Sequence, residues 1–217
     1  MTSKRSFGKF PPSVLPRGES MRASSKKQDI LLLAANLFAE RGFEAVSMRD
    51  LGKALQMTPA NLYHHFTDKE QLYRETLVDV FSRVAQVLPK PAKEERPQSY
   101  LEHLVSGIIA FMLRDTVFTR LMFRELSSDN HERTAFFVEK ALRPVYDSIA
   151  KALSLLIRKS AVTSTLDMLV SSIIGYVNMS RFFSLLHRDA SYETDCEAIT
   201  ARIMAGLSLH VASLDMK

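Results

Sequence analysis

The chain has 217 residues, of which 46% are hydrophobic, and carries a formal net charge of +5. This length suits one helical domain of ordinary size plus a small module, with enough apolar residues for a sizeable core. The single cysteine, Cys196, excludes an intrachain disulfide framework and is typical of a reducing cytoplasm. No uninterrupted apolar run reaches the roughly 18 residues that span a bilayer, so we expect no membrane association.

The positive charge is concentrated at the N-terminus. Residues 1–27 contain seven Lys or Arg and one Glu, residues 28–88 contain six basic and eight acidic residues, and residues 89–217 are nearly balanced. Three prolines and several serines predict that residues 1–25 form a disordered basic tail. Such a tail suits nucleic-acid binding, but it could equally be a solubilising extension, and composition leaves both readings open.

Few glycines and many Leu, Ala, Met, Lys and Glu residues predict an all-α fold. The first predicted helix covers residues 26–41 and ends before Gly42, the usual left-handed stop. Residues 47–66 then read as two short helices around a tight turn. Ser47 and Asp50 form a capping-box-like pair at the start of the first of these helices.

The second short helix is predicted over residues 59–65, with Thr58 as its cap and Pro59 at its first position. Gly52, on the preceding helix, has no Cβ and permits a close approach. Leu62 and Phe66 are predicted to be buried. The side chains that this arrangement leaves facing outward are those of Thr58, Ala60, Asn61, Tyr63 and His64.

A further helix is predicted to follow a capping pair formed by Thr67 and Glu70, and to end near residue 88. Residues 89–98 contain three prolines and are predicted to be the linker between two domains. Residues 26–88 therefore form the predicted first domain.

Residues 99–217 are predicted to form a second, entirely helical domain. Its predicted helices cover residues 99–114, 116–127, 132–159, 164–187 and 192–214. Pro144 predicts a kink near Arg143 within the third of these helices. Ser164 and Asp167 are the predicted capping pair of the fourth. The last two helices carry more apolar surface than one core can use, which predicts a homodimer built from both.

The second domain also contains many Phe and Met side chains that could line an apolar cavity for a hydrophobic small molecule. Each aromatic taken alone is more often a core residue, so this remains a hypothesis about the group. Asn178 is included because a polar side chain within an apolar stretch needs a partner when it is buried. The candidate lining residues are Phe111, Met112, Phe118, Met122, Phe123, Phe136, Phe137, Tyr176, Asn178, Met179, Phe182 and Phe183.

Catalytic motifs are absent from the sequence. There is no GxSxG, no P-loop, no GxGxxG and no CxxC, and His131-Glu132 is not continued as HExxH. We therefore expect a protein that is not an enzyme, with no cofactor and no metal site.

The tract Asn61-Leu62-Tyr63-His64-His65-Phe66-Thr67-Asp68-Lys69-Glu70, with the helices before it, closely resembles the TetR/AcrR family of bacterial transcriptional regulators. The resemblance covers about residues 26–88. It implies a three-helix helix-turn-helix head that binds a double-stranded DNA operator as a homodimer. It also implies a C-terminal helical domain for ligand binding and dimerisation, repression relieved by a small ligand, and a location in the bacterial cytoplasm. A C-terminal domain that only dimerises is the alternative.

The resemblance also implies roles for individual side chains. The recognition helix would lie in the major groove, with its first residues at base edges or nearby phosphates and its last ones on the backbone. An amide there can read adenine, although it can equally meet only water or phosphate. The positions that match are Thr58, Ala60 and Asn61 for the groove, and Tyr63, His64, Lys69, Ser47 and Arg49 for the phosphate backbone.

Overall fold

The computed structural model of the protein describes residues 23–92, 95–187 and 195–215. Every regular element within these ranges is helical, which confirms the predicted all-α fold class. The elements are α1 (Ala23–Arg41), α2 (Met48–Leu55), α3 (Pro59–Tyr63), α4 (Lys69–Val87), α5 (Pro97–Arg114), α6 (Thr116–Leu126), α7 (His131–Phe137), a π-helical turn (Val138–Leu142), α8 (Arg143–Ser154), α9 (Lys159–His187) and α10 (Cys196–Asp215).

The predicted capping box at the start of α2 is confirmed. The Asp50 N–H donates to Ser47 Oγ at 3.1 Å, and the Ser47 N–H donates back to Asp50 Oδ2 at 3.1 Å. The Ser47 hydroxyl also donates to Asp50 Oδ2 at 2.5 Å, and this bond, together with the one from the Ser47 N–H, lowers the pKa of Asp50. Thr58 caps α3 by accepting the Asn61 N–H at 3.3 Å, and Pro59 is the first residue of that helix. The helix is shorter than predicted and ends at Tyr63.

Replacing Gln56 with glycine is expected to raise the free energy of unfolding by about 1 kcal/mol. Gln56 ends α2 with φ at 55°, in the left-handed region that is unfavourable for a residue with a Cβ by roughly 1–2 kcal/mol. The wider unfolded ensemble of glycine offsets part of this gain. Urea denaturation measures the difference, and Gln56→Ala, which keeps the Cβ, should show no comparable gain. A Gln56→Gly protein no more stable than the parent would contradict the expectation.

The start of α4 differs from the prediction by one residue. Asp68, and not Thr67, is the cap, because its Oδ1 accepts the Gln71 N–H at 2.7 Å. The Gln71 side chain reaches back and accepts the Thr67 N–H at 2.6 Å. The predicted pair of Thr67 and Glu70 is therefore wrong, because the Asp68 carboxylate caps the helix and the Gln71 side chain, not that of Glu70, accepts the N–H of Thr67.

Two predicted segment boundaries also move. α1 begins at Ala23, three residues earlier than predicted, and the rest of the predicted tail, residues 1–22, lies outside the described residues. α5 begins at Pro97, so the last two residues of the predicted linker belong to a helix. Proline is favoured at that first helical position because its missing N–H would have no partner there.

The predicted break near Arg143 is confirmed as a π-helical turn over Val138–Leu142. Pro144 has no N–H to donate and its ring would clash with a carbonyl one turn earlier, so the wider turn accommodates it. α8 ends at Ser154, five residues before the predicted end of this helical segment.

The predicted capping pair of α9 is wrong, because the helix begins at Lys159, before both residues. The Ser164 hydroxyl donates to the Ala161 carbonyl at 3.2 Å, and Asp167 accepts the Tyr146 hydroxyl at 2.7 Å. α10 begins at Cys196, and residues 192–194 of its predicted range lie outside the described part of the chain.

α9 buries one side within the chain and exposes the other. The stripe of Leu166, Leu169, Ile173 and Val177 is buried. The exposed apolar side chains near its C-terminal end are Met179, Phe182, Leu185 and Leu186, and α10 adds Leu209. By length and composition alone Lys159–Ser180 could cross a bilayer, but a core helix passes the same test, and a third of its 18-residue window is buried inside the fold.

Candidate nucleic-acid interface and candidate ligand cavity

α3, the helix that the resemblance assigns to the DNA groove, presents the side chains that the sequence places outside. Leu62 and Phe66 are 0% and 1% exposed and anchor the helix in the core. Thr58, Ala60, Asn61, Tyr63 and His64 are all exposed, although the Thr58 hydroxyl is already engaged as the helix cap. Five residues of helix are too few to be stable alone, so this face depends on the helices that hold α3.

Gly52 sets how closely α2 approaches the turn before α3. A Cβ built at this position would lie 2.8 Å from the Met57 carbonyl oxygen and 3.6 Å from the Pro59 nitrogen. Both neighbours are backbone atoms, so they cannot rotate away as a side chain could. The predicted close approach at Gly52 therefore exists, and it fixes where α3 begins.

The side chains predicted to contact phosphate differ in whether they already bond to other groups of the protein. Arg49 is exposed, and the structure gives it no ion pair among the described residues. The Ser47 hydroxyl is committed to the α2 capping box. The Lys69 ammonium donates to the Phe43 carbonyl at 2.9 Å and lies 4.1 Å from the centroid of the Phe43 ring. At the start of α4 the Asp68 carboxylate accepts the Gln71 N–H, and the Gln71 side chain accepts the Thr67 N–H, so both N–H groups already have partners. Arg49 is thus the most available of these groups.

An apolar cavity of about 90 Å³ lies between α4, α5, α6, the π-helical turn, α8 and α9. It includes three of the predicted lining residues, Met112, Phe118 and Met122. The remaining lining residues, which the sequence did not single out, are Phe81, Val84, Ile108, Ala141, Leu142, Val145, Tyr146, Ile149, Val170, Ile173 and Ile174.

The other predicted lining residues do not reach this cavity. Phe111 and Phe137 pack their rings against those of Phe118 and Phe81, at 4.9 and 4.7 Å between centroids. Phe123 and Phe136 line separate surface grooves.

The predicted residues at the C-terminal end of α9 are also elsewhere. Asn178, Met179 and Phe182 are exposed, and Tyr176 and Phe183 face each other at 6.2 Å. The reason is that α9 turns the side bearing Ile173 toward the cavity. In the sequence, the aliphatic residues that line the cavity cannot be distinguished from aliphatic residues that pack in the hydrophobic core.

One contact between the two predicted domains lies at the C-terminal end of α6. The Arg124 guanidinium donates to the Ala39 carbonyl at 3.1 Å and to the Glu40 carbonyl at 2.8 Å, so α6 caps the last turn of α1. Gly42 follows with φ at 83° and ends α1. These contacts join residues 85 and 84 positions apart and were not predicted.

The neighbouring Glu125 holds α4 from the same helix. It is 1% exposed, accepts the Tyr73 hydroxyl at 2.5 Å and pairs with Arg133 Nε at 3.3 Å. Burial and this hydrogen bond raise the pKa of Tyr73, so its hydroxyl stays protonated. Arg133 is 7% exposed and lies over the Phe43 ring at 4.6 Å. No local sequence pattern indicates this network, because its members come from distant helices.

Comparisons with known proteins point in one direction. Residues 30–76 match the model of the family described as bacterial regulatory proteins, tetR family. The HTH-type transcriptional repressor KstR2 of Mycolicibacterium smegmatis is 39% identical over 69 residues, 30% of this chain and 34% of that repressor. The HTH-type transcriptional repressor AcnR of Corynebacterium diphtheriae is 29% identical over 89 residues, 41% and 47% of the two chains. The chain therefore matches less than half the length of either relative.

Solved structures resemble the chain over nearly its whole length. A TetR-like transcriptional regulator from Rhodococcus sp. RHA1 superposes with a TM-score of 0.66 at 15% identity, covering 89% of this chain and 99% of that one. The fatty acid degradation regulator FadR of Bacillus halodurans gives 0.67 at 16% identity, covering 86% and 96%. At these identities the likeness shows a shared fold.

Proposed function

Since the chain belongs to the TetR family of bacterial regulatory proteins, we propose that it is a cytoplasmic repressor that binds a palindromic operator as a homodimer. We propose further that a hydrophobic small molecule releases it from DNA. The chain is a transcription factor and not an enzyme. The observation that carries the proposal is the exposed face of α3, held in a fixed position by the backbone contact at Gly52.

The apolar surface of the last two helices supports the dimer. Phe182, Leu185 and Leu186 on α9 are 51%, 72% and 60% exposed, and Leu209 on α10 is 75% exposed. Exposed apolar side chains of this size mark interaction sites, and a two-fold interface uses the same surface on both subunits. Two recognition helices would then face adjacent major-groove segments on one side of the duplex.

The connection between cavity and head supports control by a ligand. α4 lines the cavity through Phe81 and Val84, and it is the next helix in the chain after α3. α6 lines the cavity through Phe118 and Met122, and its last turn holds the head. We propose that a ligand shifts α4 as a lever, together with α6, and changes the distance between the two recognition helices.

Selection of bound sequences from random double-stranded DNA tests the operator proposal. The expected result is a palindrome whose half-sites are separated by about 34–36 Å or a multiple, since both helices must reach the same side of the duplex. Enrichment of a single unrepeated site, or of no sequence, would overturn the proposal of a two-fold operator complex.

A C-terminal domain that only dimerises is the second candidate, and the size of the cavity favours it. A volume of about 90 Å³ is small beside the roughly 300–1,000 Å³ of ordinary ligand sites. Under this alternative no small molecule changes operator affinity. A compound that binds without DNA and also releases the operator would exclude it.

Asn61→Ala and Arg49→Ala are expected to weaken DNA binding in different ways. Loss of the Asn61 amide should reduce discrimination at one base pair by about 1–3 kcal/mol, because the amide can pair with adenine. Loss of Arg49 should weaken binding similarly on all sequences and reduce the salt slope by about 1, because it would contact phosphate. Titrations of operator and random DNA at several salt concentrations separate the two. Equal loss on both DNAs for Asn61→Ala would remove it from base readout.

A further inference from the structure

We infer that the cavity takes the end of a slender, flexible apolar chain, and that the head group of this ligand stays at the rim and is uncharged or cationic. This inference rests on the proposed function, because it names the chemical class of the effector. Three features carry it: the size of the cavity, the chemistry of its wall, and the charges at its rim.

The size excludes a rigid polycyclic occupant in this conformation. A dry cavity of roughly 150 Å³ is enough for benzene, and the cavity here has about 90 Å³. Met112 and Met122 line it, and their unbranched side chains have several rotatable bonds that allow local widening. An alkyl chain can enter such a space one methylene at a time, whereas a fused ring system needs the full width at once.

The wall offers almost nothing to a polar group. Tyr146 supplies the only side-chain hydroxyl among the lining residues, and this hydroxyl donates to Asp167 Oδ1 at 2.7 Å. A ligand hydroxyl or amide inside the cavity would therefore lose its hydrogen bonds to water, at roughly 1–3 kcal/mol for each unpaired group. The buried part of the ligand must be hydrocarbon.

Burial of the lining residues shows where the cavity opens. Phe81, Phe118 and Met122 at its inner end are at most 4% exposed. The partly exposed lining residues lie on the π-helical turn, the first turn of α8 and the middle of α9, and they are Leu142, Val145, Tyr146, Val170 and Ile174. A chain would enter between α8 and α9 and extend toward α4 and α6, leaving its head group beside Tyr146.

The charges around Tyr146 determine which head group fits. The charged groups that act on its hydroxyl are Asp167, Asp147 and Arg143, and Arg143 is itself paired with Glu139 at 2.6 Å. Lys140 also acts on Glu139, so the groups near this rim comprise three carboxylates and two cations, and a carboxylate head group would meet net negative charge. Asp167 accepts the Tyr146 hydroxyl through one oxygen, and its second oxygen can accept from a hydroxyl or an ammonium.

Calorimetric titration of the full chain without DNA tests the inference with decanol, decylamine and decanoate, which share one alkyl chain. Decanol and decylamine are expected to bind at least about tenfold more tightly than decanoate. Asp167→Asn, which keeps an acceptor for Tyr146, should narrow the difference between decanoate and decanol. Phenanthrene serves as the rigid polycyclic comparison. The inference would be overturned if decanoate or phenanthrene bound as tightly as decanol, or if none of the three alkyl compounds bound.

A blocking variant ties binding to the cavity. Val145→Trp places a large side chain at the partly exposed rim and should abolish binding of decanol. Leu155→Trp makes the same kind of addition at a 64% exposed position outside the cavity and should bind decanol normally. Decanol binding that survives Val145→Trp would overturn the assignment to this cavity.

Operator release, measured separately with the same compounds, distinguishes the two levels of the proposal. Binding of decanol without release of operator DNA would contradict the proposed effector control and leave the ligand class intact. Release by a compound whose action is insensitive to Val145→Trp would leave effector control intact and overturn the inference about the cavity.

Discussion

Gly52→Ala is expected to weaken operator binding by about a hundredfold or more while the protein remains folded. The added Cβ would lie 2.8 Å from the Met57 carbonyl oxygen, so the backbone at the start of α3 must move. Each good base contact is worth about 1–3 kcal/mol, and the loss of two such contacts accounts for the expected factor. The higher helix propensity of alanine, worth up to about 1 kcal/mol, offsets part of the strain and helps the fold survive.

Fluorescence anisotropy with labelled operator DNA measures this effect, and circular dichroism checks that the helices persist. Gly107→Ala is the matched control, because the nearest atom to its added Cβ is a proline side-chain carbon at 3.4 Å. This control should bind the operator normally. Unchanged operator affinity in Gly52→Ala would show that the contact with Met57 does not position the recognition helix.

Glu125→Ala is expected to lower the free energy of unfolding by about 3–5 kcal/mol. The substitution leaves Arg133 buried at 7% exposure without its carboxylate, and breaking a buried ion pair from one side has a cost in this range. The Tyr73 hydroxyl also loses its acceptor. Because α4 and α7 meet α6 through these groups, the joint between head and second domain should weaken most.

Urea denaturation measures the loss, and Glu132→Ala is the matched control. Glu132 pairs with Arg74 at 2.7 Å, but its side chain is 82% exposed, so the pair should contribute about 1 kcal/mol or less. Glu125→Gln keeps the shape and an acceptor for Tyr73, and it should be less destabilised than Glu125→Ala. Equal stability of the Glu125→Ala and Glu132→Ala proteins would contradict the role assigned to the buried network.

Local chemistry explains why most of the helix-turn-helix could be predicted. The Ser47–Asp50 box and the Thr58 cap each involve residues three positions apart, and their geometry follows from the helix itself. The same rule predicted a side-chain cap at α4 but assigned it to the wrong residue, because Asp68 and not the neighbouring Thr67 is the cap. Buried Leu62 and Phe66 followed from helical periodicity in the same way.

The cavity shows what periodicity could not predict. The cavity was predicted from Phe and Met residues, yet its wall is mostly aliphatic. It also includes Phe81 and Val84 of α4, the helix that the sequence assigned to the DNA-binding head. α9 is apolar nearly all round, so its sequence does not indicate which side faces inward. The side bearing Ile173 faces the cavity, and the side bearing Phe182 is exposed, because α9 packs on α5, α8 and α10.

The sequence by itself determined the all-α class, the capped helix-turn-helix and the outward face of α3, because these depend on residues within one or two helical turns. Only the tertiary structure decided that Lys69 bonds to Phe43, that Arg124 caps α1, and that Glu125 binds Tyr73. Those contacts join residues 26, 85 and 52 positions apart. Such pairings depend on how whole helices pack, which no local pattern of residue types specifies.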